Sequence, residues 1–446
     1  MNIKPMAHQA QSLKFMADKP AVLDFSDCGT GKTLVEIVDF AKRHKVNGKA
    51  MLVLCPKSIM RAAWEQDIKK FAPHLVVSLC PAKDRLLCLQ RKADVYVVNI
   101  DGAIDLLKLP PLFWKKFETL VIDEANSIKH RTSNRSKAVA TIAKHFKYKR
   151  LLTGTPAANG ICDLWHLAFV ADGGQRLGKS FFSFRAACCV PVQTGPMANM
   201  ITWIDREGIE LAVAALLADI TVRHRFEDCV DIPENHCYAI SHQLGSINRK
   251  IYDKLEADKY AEIRQTGITA INGAALATKL LQTASGAVYN DDGGYSLVTT
   301  DRYALVLDLV EARRHSIVFY QWDHQCEELV KEAIKRKLTY AIWHSSQSQL
   351  EQEFQAGKYQ VMFAHPQSAG HGLTLTKATT TIWASPTYNL DHFTQGSNRI
   401  YRIGQTQKTE TIVVVAENTF DERAWTALAN KRVRMHELFD AVQNAA

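Results

Sequence analysis

At 446 residues, with 47% apolar and 23% charged side chains, the chain exceeds one ordinary core and predicts two domains of roughly 150–230 residues. A formal net charge of +9 is compatible with a nucleic-acid partner but does not by itself select one. The ten cysteines include no C-x-x-C pair, no apolar run reaches the ~18 residues of a membrane span, and Met1–Pro5 lacks a signal peptide's apolar core, so the composition argues against a zinc site, a membrane protein or a secreted one and predicts a cytoplasmic protein with reduced thiols.

In chain order, short apolar runs predict strands at Ala21–Phe25, Met51–Cys55, Val95–Asn99, Thr119–Ile122 and Arg150–Leu152. Helices are expected between them; in Leu34–Lys42 the residues Leu34, Ile37, Val38 and Ala41 share one face. Residues 157–225 and 245–290 read as mostly helical, the first interrupted at Gly173-Gly174 and at Pro191–Met200. The polar stretch Phe226–Glu234 is the expected lobe boundary, giving lobes 1–230 and 231–446. The second half repeats the pattern at Ser316–Tyr320, Thr339–Trp343, Gln360–Ala364, Thr380–Trp383 and Thr411–Val415, then ends in a helix over Thr419–Val442. Strand and helix in alternation predict an α/β fold: two tandem lobes, each a parallel sheet covered on both faces, with helical insertions.

Two segments approach the phosphate-loop spacing G-x-x-x-x-G-K-[ST]. Gly173–Ser180 fits every letter, whereas Ser26-Asp27-Cys28-Gly29-Thr30-Gly31-Lys32-Thr33 lacks the first glycine. Context favours the second of these. A phosphate loop needs a strand feeding it and a helix leaving it, so that backbone N–H groups converge on the anion. Ala21–Phe25 and Leu34–Lys42 supply both; Gly173–Ser180 follows a helical segment instead. Lys32 is then expected to neutralise the β- and γ-phosphates of ATP and Thr33 to offer its hydroxyl to Mg²⁺. Asp123 and Glu124 end the strand Thr119–Ile122, at the edge where open α/β sheets bind ligands. Asp123 is expected to hold Mg²⁺ through water and Glu124 to orient and deprotonate the attacking water.

Far downstream, Arg399 and Arg402 lie three residues apart in Gln395–Gln405. On a helix that spacing turns both guanidinium groups the same way. Planar, permanently charged guanidinium suits a phosphoryl transition state.

These segments together resemble the Swi/Snf-type ATPases, the chromatin-remodeller branch of helicase superfamily two, over about residues 3–435. Pro5 with His8-Gln9 resembles the entry motif in which a glutamine, here Gln9, reads adenine. Leu52–Ser58 followed by Trp64 resembles motif Ia. Asp123–Asn126 with Ile128-Lys129 resembles motif II, and Leu152–Pro156 with Asn159 and Leu164-Trp165 resembles motif III. Ile317–Trp322, Ser368–Leu375 and Gln395–Gln405 resemble motifs IV, V and VI, with Gly372 in motif V near the nucleotide. The resemblance implies two RecA-like lobes, helical protrusions at 157–225 and 245–290, and translocation along duplex DNA; a monomer is the default expectation. Asn126 stands where the family usually has His, Asn398 where it has Asp, and His371 at an often acidic position. Asn126 puts the link from the ATP site to motif III in question.

The same resemblance implies DNA phosphate contacts from Lys57, Ser58, Lys129, Arg131, Thr153, Gln321, Trp322, His344 and Thr374. Single-stranded DNA and RNA remain alternative partners. A strand-separating helicase and a nucleotide-gated DNA clamp with little turnover remain alternative activities.

Overall fold

The computed structural model describes residues 4–193, 201–266, 270–290, 294–344, 348–369 and 374–445. By compactness the chain forms two units: Met1–Cys189 with Asp205–Asp231 and Val433–Ala446, and Val190–Ile204 with Ile232–Arg432. Each is built around one parallel sheet.

In chain order the strands of the first half are β1 Ala21–Asp24, β2 Ala50–Cys55, β3 Val77–Cys80, β4 Val95–Asn99, β5 Phe117–Asp123, β6 Tyr148–Leu152, β7 Cys189–Gln193, β8 Ile201–Asp205 and β9 Thr221–Val222. Seven of them form the first sheet in the order β3-β4-β2-β5-β6-β1-β9, all parallel. β1 and β2 are buried at every position, as strands covered on both faces must be. Ile37 and Phe40 pack with Met51, Val53, Trp64, Val95, Val97 and Val121 to fill one face.

The second half contributes β10 Asn235–His242, β11 Ala287–Tyr289, β12 Tyr295–Leu297, β13 Ser316–Phe319, β14 Tyr340–Trp343, β15 Val361–Ala364, β16 Thr380–Trp383 and β17 Thr409–Ala416. Six of these make the second parallel sheet, ordered β10-β17-β16-β13-β15-β14. Val318, Phe363, Ile382, Ile412 and Val414 form its core with Tyr303 and Leu307 of the helix Asp301–Glu311.

The insertions are mostly helical, as expected, but also carry strands. Between 157 and 225 the helices Asp163–Asp172, Phe181–Cys188 and Ile209–Leu217 are joined by the paired strands β7 and β8, and β9 returns to the main sheet. β-Branched Val190, Val192 and Ile201 favour that extended pairing. Residues 245–290 contain the helices Ser246–Thr266 and Ala270–Ala284, closed by β11.

Candidate nucleotide site

The site begins where β1 stops. Lys32 opens α2, Lys32–Asn47, behind Gly31, whose φ of 82° lies in the left-handed region that glycine tolerates. α2 stops at Gly48 (φ 66°), whose N–H returns to the His44 carbonyl at 2.8 Å. Strand, glycine turn and helix thus aim backbone N–H groups into the loop. The Lys32 ammonium folds back over it, donating to the carbonyls of Ser26 (2.7 Å) and Asp27 (3.0 Å).

The loop is held from outside. On α1, Ala7–Met16, His8 Nε2 and Gln9 Nε2 lie 2.8 and 3.1 Å from the Thr30 carbonyl. Gln9 also accepts the Met6 N–H at 3.0 Å, so both ends of its amide are engaged within the chain. A Cβ on Gly31 would sit 2.4 Å from Gln9 Nε2, so that flexible amide would have to shift, while the positive φ by itself favours glycine there. A cleft of about 210 Å³ opens beside His8 and Gln11, closed by His224, Arg225 and Asp228. Asp27 accepts Arg223 Nη1 (2.6 Å) and the Phe226 N–H (3.0 Å). Sequence reasoning missed His8 as a loop anchor, along with Arg223 and Phe226. His8 stands beside Gln9 in the entry motif; Arg223 and Phe226 lie about 200 residues from the loop, with no local signal.

Asp123 ends β5 within electrostatic reach of Lys32. Its carboxylate accepts Trp64 Nε1 at 2.9 Å and the Glu124 N–H at 3.0 Å. Burial first, then the neighbouring Glu124 charge, raises its pKa above the ordinary carboxylate range, while Trp64 and Lys32 pull the other way. Two repelling carboxylates beside an ammonium are an arrangement that a divalent cation relieves, so the donor set fits Mg²⁺. Glu124 itself has φ 53° and ψ 53°, a left-handed conformation costing about 1–2 kcal/mol for a residue with a Cβ.

Motif III adjoins this loop. Thr153 N–H donates to the Asp24 carbonyl at 3.0 Å, and a Cβ on Gly154 would meet Cys28 Sγ at 3.4 Å. Asn126 Nδ2 donates to Thr155 Oγ1 at 3.3 Å, so the residue that replaces histidine still reaches motif III.

The alternative loop, Gly173–Ser180, is built differently. Gly173 caps the helix Asp163–Asp172. The N–H groups of Gly174, Gln175 and Arg176 all donate to the Asp172 carboxylate at 2.7, 3.0 and 3.1 Å. A side chain of the protein already fills the place an anion would take.

In the second unit the helix Leu390–Ser397 ends at its C-cap Asn398. Arg399 and Arg402 therefore lie in the turns after it and share no helical face, a correction to the one-turn reading. Gly396 is fixed by contact, since its Cβ would meet Trp383 at 2.9 Å and Phe319 at 3.0 Å. Arg399 is buried, with Nε donating to the Gln395 carbonyl at 2.9 Å. Arg402 Nη1 donates to Thr374 Oγ1 at 3.3 Å. Gly372 and His371 lie outside the described residues.

The expected DNA contacts divide. Lys57, Ser58 and His344 are exposed, while Gln321, Trp322 and Thr374 are half-buried. The Gln321 and Trp322 N–H groups both donate to Gln325 Oε1, a helix-start arrangement. Lys129 pairs with Asp163 at 3.4 Å with only 9% of its side chain exposed, and Thr153 is buried with its hydroxyl accepting the Thr155 N–H. Lys129 is thus engaged by the first residue of the helix Asp163–Asp172, and Thr153 by its own turn. Arg131 lies over the rings of Phe181 and Phe182 at 4.6 and 4.8 Å.

Two parallel-sheet lobes, a phosphate loop and an acidic strand end define a helicase-like ATPase. The SNF2-related domain matches residues 8–285 and the helicase conserved C-terminal domain residues 301–404; the chain belongs to the SNF2-related family. It is 27% identical to protein p41 of Acyrthosiphon pisum secondary endosymbiont phage 1, covering 98% of both chains. It is 24% identical over 96% of its length to the SWI/SNF-related matrix-associated actin-dependent regulator of chromatin subfamily A-like protein 1 of Xenopus tropicalis, but spans only 44% of that protein. The fold is shared with S. cerevisiae Dbp5 bound to RNA and ADP BeF3, at a TM-score of 0.57 and 14% identity, covering 99% of this chain and 94% of that one. Among the described residues, no helix is long and apolar enough to cross a membrane.

Proposed function

We propose that this ATPase translocates along double-stranded DNA, hydrolysing ATP with groups drawn from both lobes, 1–230 and 231–446. The observation that carries the reading is the convergence of Lys32 with Asp123 and Glu124 at the carboxyl edge of one parallel sheet. Gly29, Thr30 and Gly31 wrap the phosphates with backbone N–H groups. Lys32 exchanges its two loop carbonyls for β- and γ-phosphate oxygens. Thr33 and Asp123 would hold Mg²⁺, which when bound neutralises charge on the phosphates. Glu124, turned by its left-handed backbone, orients the attacking water and takes its proton. Arg399 and Arg402 stabilise the charge that builds on the transferred phosphoryl group. Gln9 reads adenine after releasing its internal partners.

DNA as the partner is supported by the +9 charge, by the exposed Lys57, Ser58 and His344, and by relatives that include a DNA annealing helicase and endonuclease of Bos taurus, 25% identical. The hydrogen bond from Asn126 to Thr155 favours turnover over a passive clamp, because it keeps the acidic motif tied to motif III.

The test is ATP hydrolysis by the wild type and Glu124→Gln, each alone and with single-stranded DNA, duplex DNA or RNA. The proposal expects stimulation by duplex DNA that the variant loses. Stimulation chiefly by single strands or RNA would replace the translocase with a strand-separating helicase; no stimulation would leave the clamp.

A further inference from the structure

We propose that the end of the C-terminal helix is a positioning element of the phosphate loop, acting through Arg223 and Arg225. The inference rests on reading that loop as the ATP site.

The helix Phe420–Ala445 carries Phe439 and Asp440 among residues that belong to the first unit. The Arg223 guanidinium lies 3.9 Å from the centre of the Phe439 ring. Its Nη1 donates to Asp27 Oδ1 at 2.6 Å and to the Phe25 carbonyl at 2.8 Å. The side chain is 1% exposed, and Nε and Nη2 meet no hydrogen-bond acceptor among the described residues. A buried cation with two unsatisfied nitrogens is costly unless another group offsets its charge. Asp27 does so on one side and the Phe439 ring face on the other, where cation–π attraction is strongest when water is excluded.

Two residues on, Arg225 forms an ion pair with Asp440. The segment so pinned presses on the loop from one side. The His224 N–H donates to Ser26 Oγ at 3.1 Å, and the Phe226 N–H to Asp27 Oδ2 at 3.0 Å. A Cβ on Gly29 would meet the Phe226 ring at 3.0 Å. Ser26 and Asp27 are also the residues whose carbonyls receive Lys32. A chain of direct contacts therefore runs from Phe439 through Arg223 and Asp27 to the phosphate lysine. Phe439, Asp440 and Arg223 touch no reacting atom in this scheme; they fix the shape of the loop that does.

The test uses the full chain carrying Phe439→Leu, Phe439→Tyr or Asp440→Asn. ATP turnover with duplex DNA, affinity for a fluorescent ATP analogue and thermal melting are measured for each. Phe439→Leu keeps apolar packing but removes the ring face, so KM for ATP and analogue Kd rise about tenfold with kcat unchanged. Phe439→Tyr restores both, and Asp440→Asn gives a smaller rise, about threefold, through loss of a half-exposed ion pair. If Phe439→Leu and wild type share one KM while kcat falls with the melting temperature, the ring is only core filling and the inference fails. Should Phe439→Leu not fold, an unchanged KM in Asp440→Asn overturns it equally. A wild type that binds no nucleotide overturns the parent reading and this inference together; normal wild-type binding with unaltered variants overturns the inference alone.

Discussion

Two loops of the first unit carry the spacing of a phosphate loop, and they are built to opposite ends. Gly173–Ser180 has every letter, yet it follows a helix, and its three converging N–H groups already donate to Asp172. Ser26–Thr33 lacks a glycine, yet it joins β1 to the 16-residue helix α2 and faces Asp123. An anion-binding turn is defined by what its N–H groups are left to bind, and a short carboxylate directly preceding the loop suffices to satisfy them. The helix that follows each loop differs too. The eight residues of Phe181–Cys188 start at a Ser180 hydroxyl cap, whereas α2 starts at Gly31 with no side-chain cap. An uncapped N-terminus leaves donors for a ligand.

The contrast is sharpened first at the two aspartates. Asp172 is satisfied by three backbone N–H groups and the Arg176 guanidinium, Asp123 by Trp64 and one N–H. Trp64→Phe removes a hydrogen bond to a charged group, so turnover should fall about ten- to a hundredfold. The Trp64 bond also favours the ionised carboxylate, so its loss raises the Asp123 pKa further and moves the acid limb of the activity profile to higher pH. A profile superimposable on that of the wild type would break the link between Trp64 and the acidic pair.

A smaller effect concerns the helix that leaves the working loop. Glu36 of α2 is 1% exposed, among Arg150, Asp39, Asp24 and Arg43, and burial pushes its pKa up to about 8. The folded chain keeps this proton over a range where the unfolded chain, near the ordinary value of 4.5, has lost it. The unfolded state then binds fewer protons, so stability falls as pH rises, by up to about 1.4 kcal/mol per unit, and the decline ends above the folded pKa. Glu36→Gln should flatten the fall of melting temperature between those limits. Parallel curves for variant and wild type would show that Glu36 does not titrate this way.

Much of this was legible in the chain. β1, β2, β4 and β5 announce themselves as apolar runs because both faces are covered, while β6 shows only Leu151-Leu152 behind a buried Arg150. β3 was missed because it lies at the sheet edge, alternates half-buried Val77 and Leu79 with buried Ser78 and Cys80, and so lacks the run. β10 was missed for the same reason: Asn235–His242 is an edge strand with polar, partly exposed residues. The spacing of Arg399 and Arg402 suggested a shared helical face, but the helix ends at Ser397. The hold of Arg223 on Asp27 spans 196 residues, and no local pattern signals a pairing that the fold alone creates.

The most direct test of the account compares ATP hydrolysis by Lys32→Ala and Lys179→Ala in the presence of duplex DNA. The two lysines occupy equivalent letters of the two loops. Lys32→Ala is expected at the background rate and Lys179→Ala at the wild-type rate. The reverse order, or full activity in Lys32→Ala, would contradict the assignment of the nucleotide site.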